Sequence, residues 1–150
     1  MTPELADLPD SRLSGRHQPV ILVADDEPLV RNLATLLMQK EGYFVLSAAD
    51  GDEGLELSRK YPGSIELVIT DVQMPRLNGS DLCAHLLEER PGIKVLMMSG
   101  ADTSEIVRQN ANLPFLPKPF NGKALKAKVR AILAAPEQPA IPLQPREPLR

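Results

Sequence analysis

Several charged side chains in this sequence sit where an apolar run stops, and together they could handle a phosphoryl group. The stretch LVITDVQMPRLNG, residues 67–79, is apolar up to Asp71 and then breaks into a loop marked by Pro75 and Gly79. VILVAD ends on Asp25, with Asp26 and Glu27 next. IKVLMMS ends on Ser99, and LPFLP runs into Lys118 and Pro119. A carboxylate at the edge of a core is expensive unless a partner wants its charge. Clustered carboxylates raise each other's pKa unless a cation intervenes. Mg²⁺ suits that role, because it takes oxygen ligands and keeps waters and phosphate oxygens in its shell. Asp25 or Asp26, with Asp71 and a loop carbonyl near Gln73, would supply part of that shell. Lys118 adds a fixed positive charge and Ser99 a hydroxyl donor. A carboxylate flanked in this way can attack a phosphoryl group and become an aspartyl-phosphate. Such a transfer asks mainly for positioning and charge neutralisation.

These residues converge only if the elements bring them together, and the pattern predicts that they do. Continuous apolar runs over 20–25, 43–48, 65–70, 93–99 and 113–117 read as strands. Amphipathic stretches over 28–42, 52–61, 80–90 and 122–134 read as helices, with a weak, short candidate over 103–109. Pro28 suits the first helical position and Gly42 a helix stop, while Leu29, Leu33, Leu36 and Leu37 recur at helical spacing. Leu82, Cys83, Leu86 and Leu87 share a face of the third helix, and Leu125, Val129, Ile132 and Leu133 a face of the last. The two prolines of LPFLP assign that strand to an edge. Wholly apolar strands alternating with helices indicate a five-stranded doubly wound α/β domain. In such sheets ligands bind beyond the carboxyl ends of the strands, where Asp25, Asp26, Asp71, Ser99 and Lys118 all fall.

The 150 residues suit one domain. A net charge of −3 gives no strong pull toward nucleic acid, and aromatics at 3% with no Trp make a base-stacking platform unexpected. Cys83 is the only cysteine, which excludes an internal disulfide and a cysteine-based zinc site. No apolar run approaches the ~18 residues that span a bilayer, so a soluble, cytoplasmic protein is expected. Residues 1–18 read as a disordered arm, 19–134 as the folded domain, and 135–150 as a Pro-rich tail. Prolines 136, 139, 142, 145 and 148 recur every third residue, the period of a polyproline II helix. A solvated stiff tail is the expected reading, ahead of a ligand for a Pro-binding groove.

Taken in order, ILVADDEP, VITDVQMPRLNG, VLMMSG and FLPKPF resemble the receiver domain of two-component response regulators, here of the stand-alone type. The resemblance covers about residues 19–134 and implies a flavodoxin-like fold with strand order 2-1-3-4-5, an order known for this family. It implies Asp71 as the phosphoacceptor, and Asp25 and Asp26 as the acids holding Mg²⁺ with the Gln73 backbone carbonyl. It also implies Ser99 as the switch hydroxyl, Phe115 as the switch aromatic, Lys118 as the phosphoryl-binding lysine, and a cis Lys118–Pro119 bond. The partners implied are a sensor histidine kinase or phosphotransfer protein and a downstream protein, with a homodimer compatible. Output would run through protein contacts, with no direct nucleic acid or membrane partner.

Other readings compete with this one. Asp26 or Glu27 could merely cap the helix that begins at Pro28, and Phe115 could be ordinary core. A Mg²⁺-dependent phosphatase or phosphotransferase with an aspartyl nucleophile is the enzyme alternative, but its pattern puts a second acid where Gln73 stands. The other alternative is a phosphorylation-independent interaction module. The sequence favours a phosphoacceptor switch, which is not an enzyme acting on other substrates.

Overall fold

The computed structural model describes residues 18–100 and 114–136. The expected helix over 103–109, the arm before Gln18 and the tail beyond Pro136 lie outside the described residues. Strands β1 (Val20–Ala24), β2 (Phe44–Ala48), β3 (Leu67–Asp71), β4 (Lys94–Ser99) and β5 (Phe115–Pro117) form one sheet in the order β2-β1-β3-β4-β5. Every pairing is parallel, as expected from strands apolar along their whole length.

Alternation along the strands divides the core in two. Leu22, Ala24 and Val68 join Leu55, Leu82, Cys83 and Leu86 on one face, under α2 (Gly51–Lys60) and α3 (Gly79–Glu89). Ile21, Val23 and Ile69 join Ala34, Met38, Leu125 and Val129 on the other, under α1 (Pro28–Lys40) and α4 (Gly122–Ala134). Fully burying a Val, Leu or Ile side chain is worth about 1.5–3 kcal/mol before entropy is counted. Burial of the Cys83 thiol pushes its pKa far up, so it behaves as a small apolar core residue. Asp50, Asn78 and Asn121 cap α2, α3 and α4, each accepting a bond from the backbone N–H three residues on. Gly42, at φ 94°, turns the chain after α1. No helix among the described residues is long and apolar enough to cross a membrane.

Helix α1 departs from the leucine pattern in the sequence. Leu29, Leu33 and Leu36 are exposed, at 84%, 44% and 49%. The packed face is instead Ala34 and Met38, flanked by Val30 and Leu37. A small residue at 34 lets the helix approach the sheet, and two apolar stripes on one helix cannot both face it.

Candidate functional site

The carboxyl ends of β1, β3, β4 and β5 build the site. Asp25, directly after β1, is fully buried, and its Oδ1 accepts from Glu27 N at 2.9 Å. Arg31, one turn into α1, donates from Nη1 to the Asp25 carbonyl at 2.9 Å. These bonds fix the chain reversal that leaves Asp26 exposed beside the buried acid. Glu27 occupies the N-cap position of α1 but makes no side-chain cap bond. Capping therefore does not account for the acids at this end of β1.

Asp71 closes β3 and is 7% exposed. Its Oδ1 lies 3.4 Å from Gln73 N, a long contact, and Thr70 Oγ1 donates to its carbonyl at 3.0 Å. The loop beyond returns tightly, with Gly79 N donating to Val72 O at 2.9 Å. A Cβ on Gly79 would fall 2.0 Å from the Asp71 carbonyl oxygen, so only glycine lets α3 begin there.

Lys118 completes the centre. Its backbone N–H donates to Ser99 O at 2.7 Å, continuing the β4–β5 ladder, and the Lys118–Pro119 bond is cis as expected. Its Nζ lies 2.9 Å from Asp25 Oδ2, 3.1 Å from Asp71 Oδ2 and 3.9 Å from Glu27 Oε1. Despite the first of these distances, Asp25 Oδ2 is off the direction of a hydrogen bond and remains a buried acceptor without one. Ligand oxygens of Asp25, Asp26 and Asp71 lie within 4.8 Å of one another.

Electrostatics follow from that crowding. Burial pushes the Asp71 pKa above the ordinary carboxylate value; Lys118 pulls it down, Asp25 adds to the rise, and the rise prevails. Burial also works against the Lys118 ammonium, but the close contacts and charges of Asp25 and Asp71 more than offset it, and its pKa goes up. One ammonium thus stands among four carboxylates, and a divalent cation would relieve the excess.

Asp25, Asp26, Asp71 and Lys118 are therefore brought together as the sequence predicted. Ser99 is buried at the end of β4, one strand from Asp71. Gln73 is exposed in the loop after β3. Phe115 opens β5 beside Met97 and is 37% exposed, so it is not core. Sequence reasoning left Glu27 outside the site, although its place directly after the acid pair was a signal. It also missed Arg31 and Thr70, which ordinary helix and strand positions conceal.

Residues 21–130 match the family model described as response regulator receiver domain. The sensor kinase CckA of Brucella abortus is 36% identical over 124 residues, covering 81% of this chain and 13% of that protein. The alkaline phosphatase synthesis transcriptional regulatory protein SphR of Synechococcus elongatus is 35% identical over 131 residues, 80% of this chain and 51% of SphR. The chain thus spans about half or less of these relatives. A solved response regulator receiver domain protein from Clostridium thermocellum superposes with a TM-score of 0.69 at 28% identity, covering 77% of this chain and 94% of that one.

Proposed function

The chain belongs to the response regulator receiver domain family, and from that premise we propose that it is a phosphorylation-controlled switch with Asp71 as phosphoacceptor. One observation carries the reading: the buried Asp71 carboxylate lies 3.1 Å from Lys118 Nζ, in a cluster with Asp25 and Asp26. The clustered acids and the buried Asp25 Oδ2 without a hydrogen bond fit Mg²⁺. Asp25, Asp26, Asp71 and the Gln73 backbone carbonyl would hold it. When bound, the ion would neutralise charge on the phosphoryl oxygens.

The chain's own residues do the rest. Asp71 must be ionised to attack, which burial opposes and Lys118 favours. An Asp71 oxygen bonds to phosphorus as the P–N bond of a donor phosphohistidine breaks. The imidazole nitrogen leaves with the electron pair and takes up a proton. Lys118 and the Ser99 hydroxyl then hold phosphoryl oxygens, and Phe115 swings inward, altering a partner-binding face. The protein acts as a switch rather than as an enzyme turning over other substrates.

The donor is a histidine kinase or phosphotransfer protein, and output runs through protein contacts. A net charge of −3 supports that over nucleic acid. The donor seats on α1, whose exposed Leu29, Leu33 and Leu36 run away from the site rim at Asp26. Leu33→Glu should slow transfer from a donor protein and leave labelling by acetyl phosphate unchanged; equal slowing of both would refute this seat.

Intact mass after incubation with Mg²⁺ and acetyl phosphate tests the core of the reading. Wild type should gain one phosphoryl group and Asp71→Asn none. Labelling of Asp71→Asn, or a folded wild type unlabelled by acetyl phosphate and by a panel of kinases, would overturn it.

A further inference from the structure

Among the described residues Arg76 is the one non-glycine with a left-handed backbone, at φ 64°. That conformation is unfavourable for a residue with a Cβ, and it persists where surroundings impose it. Arg76 Nη2 donates to Asp50 Oδ2 at 2.7 Å, and its Nε lies 3.6 Å from Asp52 Oδ2. The other Asp50 oxygen caps α2, accepting from Glu53 N at 2.8 Å. Next to Arg76, Leu77 packs onto the same helix start, where a Cβ on Gly51 would fall 2.2 Å from the Leu77 carbonyl oxygen. The loop after Asp71 is therefore closed at its base by Val72 and Gly79 and held at its tip by Asp50 and Gly51. Gln73 lies inside this hook.

Resting on the reading above, we infer that Arg76 is a positioning residue for the metal site. Its bond to Asp50 holds the hook that carries Gln73, whose N lies 3.4 Å from Asp71 Oδ1, and with it the carbonyl that would serve the metal. Without the bond, residue 76 is free to leave the left-handed region, and peptide planes toward Gln73 turn with it. Charge and geometry then predict opposite signs. Deleting a cation near an acidic site should tighten Mg²⁺ binding by charge alone; losing the hook should weaken it.

Mg²⁺ titration calorimetry on the full chain separates the two. Arg76→Ala should weaken Mg²⁺ binding about tenfold, at the low end for groups that orient metal ligands. Arg76→Lys should recover most of the affinity. Asp50→Asn, which retains a cap, should weaken binding too, and the double variant should be no worse than Arg76→Ala. The melting temperature of metal-free Arg76→Ala should stay near wild type, since an exposed pair adds little stability. Unchanged or tighter binding by Arg76→Ala, in a protein whose wild type binds Mg²⁺ and is labelled at Asp71, overturns the positioning role alone. A wild type that neither binds Mg²⁺ nor is labelled overturns the underlying reading and this role with it.

Discussion

At the amino ends of the strands Arg90 donates to Ser58 Oγ at 2.8 Å and to the carbonyls of Ser58, Tyr61 and Gly63 at 2.7, 2.9 and 2.8 Å. Lys94, opening β4, donates to the carbonyls of Ile132, Leu133 and Ala135 and so closes the end of α4. At the carboxyl ends of the same strands Lys118 faces Asp25, Asp71 and Glu27 instead. The first set matches cations to neutral acceptors, all of them backbone carbonyls except the Ser58 hydroxyl. The second sets one cation against two buried anions and an exposed one, and leaves an acceptor without a hydrogen bond. One end of the sheet is satisfied and holds elements together. The other keeps unspent electrostatic demand, which a cation or phosphoryl group can meet.

Removing the lysine should give the largest effect on stability. Lys118→Met leaves Asp25 and Asp71 buried with no counter-charge, and should cost the metal-free protein about 3–5 kcal/mol in urea unfolding. The loss should shrink as pH falls toward about 4, the ordinary carboxylate range, and in saturating Mg²⁺. An unchanged midpoint would mean that the two ends of the sheet do not differ as described.

Arg90→Ala tests the satisfied end. It deletes four charge-assisted bonds, but water can reach part of the vacated carbonyls, so a loss of about 2–3 kcal/mol is expected. Added Mg²⁺ should not restore it. Restoration would couple the two ends and break the contrast.

Asp71→Asn should move stability the other way. The Asp71 pKa is raised in the folded protein, so ionising it opposes folding, and stability falls as pH rises through the raised value. Metal-free Asp71→Asn should therefore melt above wild type at pH 7, and the gap should close below the ordinary carboxylate range. A lower melting point at pH 7 would show that Lys118 prevails over burial.

The smallest effect belongs to an exposed pair on the outer surface beside the satisfied end. Arg59 donates to Glu89 from Nε at 3.1 Å and from Nη2 at 2.9 Å, across the outer surface of α2 and α3. Arg59→Ala should leave the melting temperature within error, and any fall should vanish at high salt.

Much of the site was legible because its residues terminate apolar runs. A parallel sheet puts all strand ends of one sense on one edge, so Asp25, Asp71, Ser99 and Lys118 fall on that edge once the strands are recognised; the strand order that brings them close was implied by the family resemblance. Gly42 and Gly79 were equally local signals; the caps at Asp50, Asn78 and Asn121 emerged only with the helix starts. Periodicity could not say which apolar stripe of α1 packs. The stripe at 29, 33 and 36 and the one at 30, 34, 37 and 38 both fit a helix, and the choice depends on how closely α1 approaches the sheet.

By itself, then, the sequence determined the order of strands and helices, the parallel sheet and the edge where chemistry is concentrated, because these follow from local periodicity and from where charge interrupts it. Only the tertiary structure decided the partners of the long polar side chains. Arg76 with Asp50, Arg90 with Ser58, and Lys94 with Ile132 lie 26, 32 and 38 residues apart. The backbone path between them sets such pairs, and neither member carries a local signal of the other.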